Sequence, residues 1–326
     1  MKLISRALRA LQIVALGLGL VGATHAHTYP ARQVTLISAA SAGSQSDVLA
    51  RILAEEIGRQ WKQTVIVDNR PGASGFIAAE AATRAAPDGY TLFLGSAGIM
   101  AINPHFHPKL PYDAMNGFVP IAFAGSAPYV VVVPQGANLR SVDDLVKRAR
   151  TTNAPLTFGS LGNGSTTHIA AAMLGKGAEL KLTQVPYKGD SQVATDLMAG
   201  LIDFAVLPTV TVAPHVRAGK LRALGVTSLQ RTQQMPDVPT MHELGFKGYE
   251  MTQWFGFYAP SSTPPAIVKA VSEAVMAASS RDSVRNRLTD LGIDSQPMDV
   301  ATFSGFHRDQ FTKWGGTMNA LQIKLD

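Results

Sequence analysis

The chain has 326 residues, a formal net charge of +6 and no cysteine. Disulfides, thiol nucleophiles and thiolate metal sites are therefore excluded, whatever the redox state of its compartment. Lys2, Arg6 and Arg9 carry three of the positive charges, and the remaining +3 is too mild and too dispersed to argue for nucleic acid.

Those three basic residues, the apolar run 11–21 and Thr24-His25-Ala26 read as a signal peptide over residues 1–26. The run is too short for a transmembrane helix, so we expect cleavage after Ala26 and export. The remaining roughly 300 residues suffice for two domains of ordinary size. Val34 to Ser38 is an apolar, β-leaning run that ends in a small-residue loop. A helix follows, with Val48, Leu49, Ile52, Leu53 and Ile57 on one face. Ser44 and Asp47 read as a capping box at its start. A strand that opens through a serine–glycine loop into a helix N-terminus presents unpaired N–H groups and hydroxyls to an anion. No Lys or Arg stands between Gln33 and Arg51, so any anion held there meets neutral donors.

The same unit recurs. Val65-Ile66-Val67 leads through Asn69-Arg70-Pro71-Gly72-Ala73-Ser74-Gly75 into a helix predicted over 76–86. After the turn Pro87-Asp88-Gly89, a strand at 91–94 ends in Gly95-Ser96-Ala97-Gly98. This alternation predicts a parallel, doubly wound sheet, whose ligands sit outside the carboxyl ends of the strands.

Residues 121–124 read as a strand leaving the first domain and 129–134 as a separate strand opening the second. Ser141 and Asp144 cap a helix over 142–150. Leu156-Thr157-Phe158 opens into the loop 159–168, the richest in donors, and a helix from about 166 to 174. A strand at 183–187 ends in Lys188-Gly189-Asp190 before a helix over 191–199. Strands at 204–207 and 221–226 flank a helix near 210–218. Residues 254–260 read as a strand returning to the first domain, followed by helices over 265–278, 284–291 and 301–321. The chain would thus cross twice between lobes, 27–127 with 254–326 forming lobe 1 and 128–253 lobe 2.

Motifs along nearly the whole chain resemble the Bug (TctC-type) periplasmic solute-binding proteins of tripartite tricarboxylate transporters. They include Tyr29-Pro30-Ala31-Arg32, Asn69-Arg70-Pro71-Gly72-Ala73-Ser74-Gly75, Ala86-Pro87-Asp88-Gly89-Tyr90-Thr91-Leu92, Val185-Pro186-Tyr187-Lys188-Gly189 and Trp254-Phe255-Gly256. The resemblance implies an α/β, two-lobed periplasmic binding protein of type II, a Venus flytrap with two doubly wound βαβ domains and a two-stranded hinge. It implies a periplasmic receptor that captures a small organic acid and delivers it to integral-membrane permease subunits, with no cofactor and no nucleic acid. A ligand sensor feeding a signalling system is the alternative, and monomer is the default state for the architecture.

The donor inventory and the resemblance converge on one ligand set. Ser41, Gly43, Ser44 and Ser46, with Ser96 and Ala97, would hold a carboxylate from lobe 1; Gly162, Asn163, Ser165, Thr166 and Thr167 would meet it from lobe 2. Family members carry Pro-Pro-Gly-Gly where this chain has Ser41-Ala42-Gly43-Ser44. Where many relatives have an Asp-Asn type pair, it has Leu207-Pro208. The second departure removes a partner for a ligand amine, so amino acids are expected to be poor ligands. No Gly-x-Ser-x-Gly elbow, His-Glu-x-x-His or Walker loop occurs, and Gly162-Asn163-Gly164 does not continue into a dinucleotide fingerprint. An exported hydrolase would have to rest on a spatial set such as Ser44, His168 and Asp190, and we expect no enzyme. His105-Phe106-His107 lacks a further ligand at metal spacing, so no metal is expected.

Overall fold

The computed structural model describes residues 29–107, 109–162 and 165–321, so the expected signal peptide lies outside the described residues. The chain divides into Met1–Ala31, of which 29–31 are described, and a body from Arg32 to Asp326.

Strand β1 (Val34–Ser38) pairs in parallel with β2 (Val65–Asn69) on one side and β3 (Thr91–Ser96) on the other. Helix α1 (Gln45–Trp61) carries the chain outward to β2, and α2 (Phe76–Thr83) carries it back past β1 to β3. The direction of winding therefore reverses between β1 and β3, where a crevice opens at the strand ends. Leu49, Ile52, Leu53 and Ile57 of α1 are buried, as the spacing predicts, while Val48 at the start of the face is half-buried. Helix α2 stops short of residue 86: Thr83 donates its hydroxyl to Glu80 O, and Pro87 disfavours helical backbone at the residue before it.

The caps differ from the expected reciprocal box. Ser44 Oγ accepts from Asp47 N, but the Asp47 carboxylate takes the Gly43 N–H, because Ser44 N already donates to Ser41 O. Helix α3 (Val142–Thr151) repeats the variation: Ser141 Oγ accepts from Asp144 N at 3.1 Å, while Asp144 accepts from Arg140 N at 2.9 Å. Ser141→Ala should therefore cost about 1 kcal/mol in urea unfolding, the usual worth of a serine N-cap.

The two strands expected at 121–124 and 129–134 are one, β4 (Phe118–Pro134). It bends at two register shifts against β9 (Thr252–Pro260) and does not break. Gly125 stands at the second shift with φ +152°, where a Cβ would meet Ile293 Cγ2 at 2.6 Å. Only glycine meets both demands. Up to Pro128 the partner of β4 is β9, which also pairs with β3; from Tyr129 the partners are β7 (Phe204–Pro208) and β8 (Leu221–Val226). One strand thus belongs to two sheets. Val130 to Val133 are fully buried and alternate between two core clusters, as a strand covered on both faces must.

In the second sheet, β7 lies beside β5 (Leu156–Ser160) and β5 beside β6 (Leu182–Pro186), all parallel. Helix α4 (Thr166–Gly177) leads outward to β6, and α5 (Asp190–Met198) leads back past β5 to β7. This is a second reversal, between β5 and β7. Helix α6 (Thr209–Arg217) then joins β7 to β8. Helices α7 (Pro265–Ser279), α8 (Asp282–Asp290) and α9 (Val300–Leu321) close the body. Among the described residues no helix is long and apolar enough to cross a membrane.

Candidate functional site

A cavity of about 420 Å³ lies at the carboxyl ends of β1 and β3. Ser38, Ser41, Ser46 and Ser96 line it from the first sheet, and Ser74 and Asn103 from the neighbouring loops. Thr166 and Ile169 of α4 form the opposite wall, and Gln253 and Phe255 reach it from β9. Among the described residues no charged side chain lines it, so polar recognition falls to hydroxyls, amides and main-chain donors. Leu94, Ile99 and Ile102 leave room for an apolar stem.

The nearest carboxylate is turned away behind the loop. Asp47 is 2% exposed and accepts hydrogen bonds from Gly43 N (2.8 Å), Arg51 Nε (3.0 Å) and Asn69 Nδ2 (2.9 Å). Burial pushes its carboxyl up, but the donors from Arg51, Gly43 and Asn69 outweigh that and hold it below the ordinary aspartate range. Asn69 also donates to Ala40 O at 3.0 Å, so the end of β2 fixes the loop after β1. On the adjoining loop, Ala73 (φ +45°) and Ser74 (φ +51°) sit in left-handed backbone, and Asn103 Nδ2 holds Ser74 O at 3.0 Å. Such strain needs support from its surroundings and collects at binding sites.

The structure sorts the expected ligand set by where each group points. Ser41, Ser46, Ser96 and Thr166 line the cavity; Gly43, Ser44, Ala97, Gly162, Ser165 and Thr167 do not. The Gly43 N–H belongs to Asp47, and Ser44 caps α1. Ala97 is buried at 1% exposure. Ser165 Oγ donates to Gly162 O and accepts from His168 N, while Thr167 Oγ1 accepts from Leu161 N. These groups shape the second loop, and among its described residues Thr166 faces the cavity. Asn163 lies outside the described residues. Four polar groups were missed: Ser38, Ser74, Asn103 and Gln253. A signal existed for Ser74 and Asn103, which stand in Asn69-Arg70-Pro71-Gly72-Ala73-Ser74-Gly75 and in the stretch after β3; nothing local marked Gln253.

Other candidates have structural partners. Arg70 pairs with Asp68 at 2.8 Å. The His168 ring stacks on Phe158 with centroids 6.1 Å apart, and burial lowers its pKa. Trp254 is 1% exposed, packs edge-on against Phe303 and Phe306, and borders a different cavity. His105 meets Phe311 O at 2.8 Å and His107 lies edge-on to Phe76. Among the described residues no group of three or more His, Cys, Asp and Glu is placed to hold a metal ion.

Residues 49–323 match the tripartite tricarboxylate transporter family receptor, TctC. The chain belongs to this family. BugT of Bordetella pertussis is 30% identical over 98% of this chain and 99% of its own length. Among solved structures, R. palustris Rpa4515 with adipate has 30% identity and a TM-score of 0.77, covering 91% of this chain and 99% of that one. MatC (Rpa3494) from Rhodopseudomonas palustris with bound malate has 28% identity and a TM-score of 0.72, covering 89% and 99%. The TctC chain described here shares their two-lobed α/β fold, in a family of solute-binding receptors.

Proposed function

We propose that this TctC-family chain is an extracytoplasmic receptor, exported by residues 1–26, that takes a small organic carboxylate between its lobes and delivers it to a tripartite tricarboxylate-type permease. The observation that carries this reading is the uncharged, hydroxyl-lined cavity with walls from both sheets. Adipate and malate in the related structures support an acid as ligand. The lobes are 27–127 with 254–326, and 128–253; the change of partners along β4 after Pro128 supports that division.

Binding would proceed by closure. An acid bridging the loop after β1 and the start of α4 stabilises the closed form by its differential affinity for it, and the closed surface is what a permease would recognise. Neutral donors suit a carrier, since a deeply buried ion pair is hard to break for release.

A thermal-shift screen of refolded protein against mono-, di- and tricarboxylates and aromatic acids tests the reading. A ligand at one hundred times its Kd should add about 2.7 kcal/mol and raise Tm by several degrees. Silence across the panel would remove the carboxylate-receptor assignment. Thr166→Phe should weaken the best ligand at least about tenfold by calorimetry while leaving Tm within a few degrees. Unchanged affinity would take α4 out of the site.

A further inference from the structure

Strand β9 separates two cavities. Gln253 and Phe255 line the one described above, whereas Thr252 and Trp254, the alternate residues, line another of about 190 Å³ on the rear of the strand. Ser126 of β4, the register partner of Trp254, joins them there. Met298 and Phe306, which meet Phe123 of β4, wall this rear cavity from the side of the first sheet. Residues 228–231, the loop that leaves β8, wall it from the side of the second. The rear cavity therefore lies behind the two strands that join the proposed lobes, with a wall from each.

Its lining suits a different chemistry from that of the front. Leu229 is 53% exposed, and with Met298, Phe306 and the buried Trp254 ring it forms an apolar floor. Arg231 is the one cation on the lining among the described residues, and Glu243 holds it at 3.0 Å. Glu250 and Asp294 stand on the same lining, so an anion meets more negative charge than positive. The Trp254 Nε1 is buried without a hydrogen-bond partner. An indole N–H can only donate, and buried donors are rarely left unpaired, so what this site lacks is an acceptor. A cavity of about 150 Å³ in a protein core takes benzene, and the rear cavity has room for a single ring with a short substituent.

We propose that the rear cavity is a second ligand site, for a small neutral molecule that joins an apolar ring to a hydrogen-bond acceptor, and that its occupant favours closure on the acid. The site itself stands without the receptor reading; its effect on the acid rests on that reading. The joining strands act as the fulcrum, so a rotation that narrows the front cavity widens the rear one. A ring lodged behind them holds the rear walls apart and stabilises the narrowed front. By linkage, the acid tightens the hold on the ring by the same factor.

Calorimetry with benzamide and toluene tests it. Benzamide, a ring with an acceptor, should bind with a Kd of about 1 mM or better and exceed toluene, which has none, by about tenfold. Trp254→Phe should erase that advantage. Leu229→Asp, at an exposed position, should abolish benzamide binding while leaving Tm and the affinity for the best acid of the thermal-shift screen unchanged. Saturating benzamide should tighten that acid at least about threefold in the wild type and not in Leu229→Asp. No benzamide binding, binding that survives Leu229→Asp, or displacement of benzamide by the acid overturns the rear site and leaves the receptor reading standing. Benzamide bound at the rear with the acid's affinity unchanged overturns the coupling alone. Benzamide bound there while no acid binds overturns the receptor reading and leaves the site.

Discussion

Asp47→Ala should unfold about 3–5 kcal/mol more easily than the wild type and lose ligand affinity with it. The substitution strands the Gly43 N–H and the Asn69 amide and leaves Arg51 without its carboxylate. Removing one partner of a buried charged network costs that much, because the groups left behind stay desolvated. Arg51 is 53% exposed and can turn to water, so most of the loss comes from Gly43 and Asn69. Asn69 also anchors Ala40 O, so the loop that presents Ser41 and Ser46 loosens at both ends. Asp47→Asn should fall between the two. Because the Asp47 pKa is lowered in the folded state, its ionised form stabilises the fold above the unfolded aspartate pKa of about 3.9. That contribution is lost as pH falls through the folded value. The stability gap between wild type and Asp47→Asn should therefore be full at neutral pH and close in acid; a gap that stays constant in urea titrations from pH 7 to pH 2 would show that the charge is not what matters.

Gly256→Ala should lower stability by about 3 kcal/mol. A Cβ at this position of β9 would sit 2.6 Å from Phe303 Cε1, inside the ring's contact distance. The ring has nowhere to go: Phe303 is fully buried and packs against Trp254, Tyr258 and Phe306. Overpacking of this kind costs about 1–3 kcal/mol, occasionally more, and a loss of about 3 kcal/mol corresponds to a fall in Tm of roughly 5 °C for a body of this size. Gly256 faces α9, on the side of β9 opposite to Phe255, which lines the cavity, so ligand affinity at low temperature should be kept. A Tm within two degrees of wild type would mean that α9 shifts freely against the sheet.

How far the molecule could be read from its sequence depended on whether a signal was local. Strand, loop and helix order was legible because each unit carries its own marks, such as the α1 spacing and the Pro87-Asp88-Gly89 turn. The continuity of β4 was not, because Gly125 and Pro128 look like breakers until β9 and β7 supply partners on either side of the bend. Within the site, the choice of loops could be made in advance but not the choice of atoms. A serine beside a helix start can meet a ligand or its own backbone: Ser41 and Ser46 face the cavity, whereas Ser44 and Ser165 cap their helices. Gln253 was beyond reach, since its place depends on a strand that returns from the far side of the second lobe. Asp190 was read in advance as the turn before a helix and as a member of a hydrolase set; that its Oδ1 lacks a partner is a property of the packed molecule.

The position of β9 between β3 and β4 also governs when the first sheet can exist. β3 ends at Ser96 and β4 begins at Phe118, but the strand that joins them runs from Thr252 to Pro260. A ribosome must translate the whole second sheet before the first can be completed. Until then β3 and the front half of β4 offer unpaired edges, which invite pairing between chains. The nascent polypeptide is thus kept from locking early. Truncations ending before Thr252 should accumulate as aggregates.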